Sequence, residues 1–300
     1  MHKLFHTLSI QFSGFITKLI SIILKVGAFI TPTLSKRLVW HLFSTPFKGP
    51  VRKNILREKL FSQAKVLDLS FGSSFVRTYS WSCKGKSCKG KILLVHGWGA
   101  YALSMACLIN PLRELGYDVI SFDQPAHGKS PGRQTDLPKM VDSLDIVITQ
   151  LGAFNAAISH SFGGIVITNW ISKNINRGQF NTIKKLVLIS APKDMMATIK
   201  QFSKKLDLTS KHNAHIVERV EAITYQPIND LTITGFLKGR GIMNLLVHDE
   251  NDTWVPLSDS MQAAERVDNG ELFITSKLGH TKLMCSDLVI DKIKIFMSNH

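Results

Sequence analysis

Acidic residues are scarce in this 300-residue chain, 22 Asp and Glu against 37 Lys and Arg, and in the first sixty positions they are all but missing. That stretch holds Lys3, Lys18, Lys25, Lys36, Arg37, Lys48, Arg52, Lys53, Arg57 and Lys59 against Glu58 alone, so +9 of the net +15 lies in the first fifth. Charge placed this way implies an anionic surface beside the N-terminus. The chain lacks any nucleic-acid-binding motif, and the early cations alternate with apolar residues. Nucleic acid is therefore excluded as a partner, and a layer of phospholipid headgroups fits.

Cysteine is also sparse: Cys83, Cys88, Cys107 and Cys285. Cys83 and Cys88 flank a Lys/Gly-rich loop and could close a small disulfide or form half a metal site, but no second Cys or His pair stands at a zinc-like spacing. The expectation is reduced thiols in a cytosolic protein and no metal site. Internal repeats and low-complexity tracts are missing too, which excludes solenoids and disordered polymers. What remains is ordinary globular composition, 44% hydrophobic and 20% charged, enough for one large α/β domain or two small ones.

A long uninterrupted apolar run is the last absence. Near the N-terminus Phe5, Leu8, Phe12, Phe15, Leu19, Ile22, Val26 and Phe29 recur at steps of three and four, with Thr7, Gln11, Gly14, Lys18, Ser21 and Lys25 on the other side. This is the period of an amphipathic helix. A membrane span would place Lys18 near mid-bilayer and carry Lys25 as well, each at about 2.5–3.5 kcal/mol. A signal peptide needs an unbroken stretch and a small-residue cleavage site, and none precedes Thr31-Pro32. Residues 1–63 are thus expected to form a basic, amphipathic helical extension, lying on a membrane or docked on the protein body.

From residue 64 to 300 the pattern changes. Short apolar runs at 65–69, 75–81, 92–95, 119–122, 156–159, 186–190, 244–247 and 271–275 predict strands, the first two as a hairpin. Helices are predicted near 101–115, 136–151, 163–175, 257–267 and 284–298. Alternation of this kind gives an α/β fold with a mostly parallel sheet covered on both faces, and its chemistry gathers at the carboxyl ends of the strands.

Five motifs fall at such ends. Ser159-His160-Ser161-Phe162-Gly163-Gly164 lies between a strand and a helix. A sharp turn there needs small residues two places before and after its centre, so Ser161 is the candidate nucleophile, although Ser159 stands where Gly is usual. His96-Gly97-Trp98-Gly99 closes another strand and suits an oxyanion loop, with the Trp98 and Phe162 amides as donors and His96 ordering the loop. Asp123 to Ser130 reads as a structural turn fixed by Pro125 and Gly128, despite carrying Asp123 and His127. The run from Val247 to Pro256 offers Asp252 to orient a histidine, with Asp249 as fallback. Gly279-His280 follows the last strand and supplies the base.

In the order Ser, Asp, His, with an oxyanion loop upstream, these motifs resemble the α/β-hydrolase family over roughly 65–298. The resemblance implies an eight-stranded sheet flanked by helices, a Ser161-Asp252-His280 triad, and a small helical lid at about 192–235. It implies a serine hydrolase acting on a small-molecule acyl ester or thioester without metal or organic cofactor. Acyl transfer, peptide cleavage or a catalytically weak, membrane-associated binding protein are the alternatives on this fold. The expected location is the cytoplasm, peripheral on the inner face of a membrane.

Overall fold

The computed structural model describes residues 2–47, 55–85, 87–174, 182–235 and 237–298, with backbone alone for 2–15 and 56. Phe5, Leu8, Phe12 and Phe15 therefore lie outside the described side chains. Eight strands form one sheet: β1 (Lys65–Phe71), β2 (Ser74–Trp81), β3 (Gly90–Val95), β4 (Tyr117–Asp123), β5 (Ala156–His160), β6 (Lys185–Ile189), β7 (Met243–Asp249) and β8 (Gly270–Thr275). Their order is β1-β2-β4-β3-β5-β6-β7-β8. β2 pairs antiparallel with both β1 and β4, and the rest of the sheet is parallel. The central strands are apolar almost throughout, as burial on both faces requires.

Helices α1 (His2–Ile30), α2 (Pro32–Ser44) and α3 (Ile55–Gln63) precede the sheet. Pro32 ends the first and starts the second, because it has no N–H to donate and its fixed φ suits a first helical turn. α4 (Ala106–Glu114) and α11 (Asp287–Ser298) cover one face of the sheet, with Ile92, Leu94, Ile158 and Val247 beneath them. α5 (Leu137–Leu151) and α6 (Phe162–Lys173) cover the other, around Phe154, Ile165 and Trp170. α9 (Leu257–Ala264) and the single turn α10 (Gly279–Lys282) sit at the β7–β8 edge.

Between β6 and β7 lie α7 (Met195–Leu206) and α8 (Ser210–Thr224), within the 192–235 segment read as a lid from the sequence. Asp194 caps α7 by accepting from Ala197 N at 2.6 Å, and Thr209 caps α8. A bridge between Asp194 and Thr232 closes the lid at its base.

The N-terminal helices dock on this lid. Leu24 and Val39 are completely buried in the shared core. Ser35 Oγ donates to Leu24 O at 2.9 Å and lies 2.9 Å from Nε2 of His212 on α8. Phe43 packs edge-on against Phe202 of α7 at 5.1 Å, and Lys25 pairs with Asp207. The greasy stripe seen in the sequence is not the face that docks: Leu19, Ile22, Val26 and Phe29 are all exposed.

The expectation of reduced thiols is corrected. Cys83 is bonded to Cys88 and Cys107 to Cys285, with Cα–Cα distances of 6.0 and 5.4 Å. The second pair is 178 residues apart in sequence, a separation that no local spacing rule reveals. The one cluster among the described residues that resembles a metal site, Cys83, Cys88 and Asp118, has both sulfurs consumed in the disulfide.

Candidate active site

Ser161 stands on the turn between β5 and α6 with φ 53° and ψ −126°, a conformation that L-residues rarely adopt. Two features hold it there. Its N–H donates to Ile189 O at 2.8 Å. Gly163 presses on the backbone of β3, where a Cβ would meet Val95 O at 2.4 Å. Ser159 fits in place of Gly because it is fully buried with ordinary φ and directs its hydroxyl to Val187 O, 3.3 Å away.

The sequence-predicted residues converge. His280 Nε2 lies 3.0 Å from Ser161 Oγ, and His280 Nδ1 lies 2.7 Å from Asp252 Oδ2. Asp252 sits on the loop after β7, and its Oδ1 accepts from Trp254 N at 2.7 Å and Val255 N at 3.0 Å. Burial alone would raise its pKa, but the His280 contact and these two N–H groups outweigh that and hold it down at about 2. It is therefore a carboxylate at neutral pH.

Asp249, the fallback acid, points elsewhere. It accepts from Gly279 N (2.9 Å), Leu278 N (3.1 Å), Asn251 N (3.0 Å) and Thr275 Oγ1 (2.8 Å). These bonds pin the loop that carries His280, where Lys277 and Gly279 both have positive φ.

His96 is not placed as a base. It is completely buried, donates from Nδ1 to Gly97 O at 2.8 Å and accepts Gln124 N–H on Nε2 at 3.1 Å. Desolvation lowers its pKa to about 4, so it stays neutral. His127 likewise serves the loop, its Nε2 accepting from Gly99 N at 3.0 Å. Asp123 accepts from Ala102 N and Lys129 N, both at 2.7 Å, and from Tyr79 OH at 3.0 Å, so the turn at 123–130 is structural as expected. Trp98 and Phe162 lie on the two segments flanking Ser161 and meet edge-on at 5.5 Å. A Cβ on Gly97 would sit 3.0 Å from Ser161 Cβ, so the Trp98 loop runs directly against the serine.

Three residues escaped the sequence reading. His160 Nε2 donates to His280 O at 2.8 Å, and the two rings are 4.8 Å apart. Desolvation holds its pKa at about 4. His248 is buried with Nε2 at 3.6 Å from Asp252 Oδ2, while donating to Val255 O at 3.0 Å. Trp254 stacks on His280 at 6.1 Å. His160 was visible inside the serine motif and His248 inside the acidic run, but periodicity says nothing about which polar groups share a buried network.

Comparison with known proteins agrees with this fold. A family model described as alpha/beta hydrolase fold matches residues 91–214. Phospholipase YtpA of Bacillus subtilis (strain 168) is 26% identical over 137 residues, 44% of this chain and 50% of that protein. This chain thus spans about half the length of the curated relative it matches. The esterase Pf2001 of Pyrococcus furiosus superposes with a TM-score of 0.60 at 21% identity, covering 84% of this chain and 96% of that one. A membrane phospholipase A described as a bacterial virulence factor superposes with a TM-score of 0.58 at 15% identity, over 99% of this chain and 98% of its own. The chain thus has the alpha/beta hydrolase fold, and its residues 91–214 resemble the family of that description.

Proposed function

We propose that this protein is a serine hydrolase that cleaves a carboxylic ester or thioester through an acyl-enzyme on Ser161. The observation that carries the proposal is the continuous contact from Ser161 Oγ to His280 at 3.0 Å and on to Asp252 at 2.7 Å. A free serine hydroxyl is a poor nucleophile at neutral pH. His280 Nε2 takes its proton as Oγ attacks the carbonyl carbon, and the Asp252 carboxylate holds the Nδ1–H tautomer and stabilises the imidazolium. The Trp98 and Phe162 amides receive the tetrahedral oxyanion, each donor contributing about 2.7–4 kcal/mol in comparable sites. His280 then protonates the leaving alcohol or thiol, and water releases the acyl group.

The substrate class that fits best is a lipid-derived ester such as a monoacylglycerol or lysophospholipid. Support comes from the basic N-terminal helices and from a curated relative named as a phospholipase. Among the described residues no helix is long and apolar enough to cross a membrane, which is compatible with peripheral attachment. The two disulfides favour a membrane face in an oxidising compartment over the cytoplasm.

The test is fluorophosphonate labelling and turnover of p-nitrophenyl acyl esters and lysolipids by wild type and Ser161→Ala. The variant is expected to lose both. A variant that keeps either one refutes the assignment of Ser161.

A further inference from the structure

Between residues 16 and 30, α1 uses two faces in different ways. The exposed positions are Ile16, Lys18, Leu19, Ile22, Ile23, Val26, Phe29 and Ile30, and all but Lys18 are apolar. Phe29 and Ile30 are 85% and 74% exposed. On the opposite side Ser21 and Leu24 are buried against α2 and the lid. A single exposed apolar residue needs no explanation, but a contiguous stripe of seven marks a docking face.

We infer that this stripe is a surface that docks on an anionic phospholipid bilayer and tethers the α7–α8 segment to it through α1 and α2; the inference rests on the lipid-ester reading and deepens it. The charge pattern selects the occupant. Lys18 is exposed beside the stripe, Lys36 and Arg37 are exposed on α2, and no acid precedes Glu58. A second copy of the chain would bring the same cations face to face with these, whereas anionic headgroups neutralise them. The apolar side chains then enter the boundary between headgroups and acyl chains, with the helix lying in the plane of the interface.

The lid follows because it is fastened to the same helices. α2 holds α8 through Val39, through the Ser35–His212 contact at 2.9 Å, and through Arg219, whose guanidinium lies 5.2 Å from the Trp40 ring centroid. Phe43 and Lys25 reach α7 at Phe202 and Asp207. A bilayer that binds the stripe is therefore tethered to α7 and α8 through α1 and α2, which holds the enzyme at the phase that contains a lipid substrate.

The test uses the full chain with vesicles of phosphatidylcholine alone and of phosphatidylcholine with phosphatidylglycerol, read by co-sedimentation and hydrogen exchange. A soluble p-nitrophenyl butyrate assay runs in parallel. Wild type is expected to bind the anionic vesicles more tightly, with protection appearing across 16–30. The double variant Val26→Glu, Phe29→Glu is expected to lose at least about tenfold in binding and in turnover of a vesicle-embedded ester, at an unchanged rate on the soluble ester. Binding by the variant equal to wild type overturns the inference. So does protection that leaves out 16–30, or a wild-type dimer that the variant dissolves without any vesicle binding. A wild type inactive on the soluble ester refutes the hydrolase reading instead, and the vesicle data then stand on their own.

Discussion

Replacing Asp252 with Asn removes one charge and changes almost nothing in shape, so it isolates what the carboxylate does. In the native site Oδ1 accepts from the N–H groups of Trp254 and Val255 at 2.7 and 3.0 Å. Only the carbonyl end of an Asn can keep those two bonds. Its NH2 must then occupy the place of Oδ2, 2.7 Å from His280 Nδ1. An NH2 there needs an acceptor, so His280 is driven into the tautomer with its proton on Nε2, facing Ser161. That nitrogen then has no lone pair to take the serine proton. His248 cannot substitute, since its Nε2–H is committed to Val255 O at 3.0 Å. Loss of the tautomer in a comparable triad lowers kcat about 10,000-fold, which is about 5 kcal/mol of transition-state stabilisation. The assay is kcat on a p-nitrophenyl ester together with the rate of fluorophosphonate labelling, with far-UV circular dichroism as the folding control. An Asp252→Asn protein that is folded and within tenfold of wild type in both rates would refute the assigned role.

Gly163→Ala forces a Cβ to within 2.4 Å of Val95 O and 2.8 Å of His96 O, backbone atoms that cannot step aside. It should cost about 1–3 kcal/mol in urea denaturation, and because the neighbouring turn must move, it should also slow labelling at Ser161. Breaking the Cys107–Cys285 bond with a double Ala variant releases a loop of 178 residues, worth about 5 kcal/mol by chain entropy, against about 2 kcal/mol for the Cys83–Cys88 loop. Equal denaturation midpoints for the two double variants would contradict that ranking. His96 and His160 are held near pKa 4 from an ordinary 6.5, so the unfolded chain binds protons that the folded chain refuses. Their contribution to stability is complete above about pH 6.5 and is lost as pH falls toward about 4. His160→Asn should flatten the fall in urea midpoint between those limits, and an unchanged slope would count against burial as the cause.

The parts of the fold legible in the sequence were those set by local rules. Alternating apolar runs located all eight strands, because a strand buried on both faces has no room for polar residues. Ser161, Asp252 and His280 were legible because each follows a strand and carries its own turn signal. The orientation of α1 was not legible. Periodicity marks an apolar stripe but does not say what it faces, and the structure turns Leu19, Ile22, Val26 and Phe29 outward while Leu24 docks. Cys107–Cys285 and the His160–His280 contact were hidden for a related reason: each joins residues more than a hundred positions apart that only the sheet order brings together.

The division of labour between Asp249 and Asp252 shows how the site is held in advance of substrate. Strain is stored around it at Ser161, Ser190 and Lys277, which all have φ between 47° and 64° without being Gly. Each such residue costs of order 1–3 kcal/mol and persists only where its surroundings over-determine it. The surroundings are backbone bonds to neighbouring elements: Ser161 N to Ile189 O and Ser190 N to Val247 O, both at 2.8 Å. Lys277 N reaches Asn251 at 2.7 Å, and the two following amides reach Asp249. Asp249 spends its oxygens on the loop, which frees Asp252 to spend one of its own on the imidazole. His160 fastens the same loop from the other side through the carbonyl of His280. With the loop bound on both sides, the imidazole meets Ser161 without any rearrangement, so in the proposed mechanism the cost of aligning the two is met during folding rather than in each turnover.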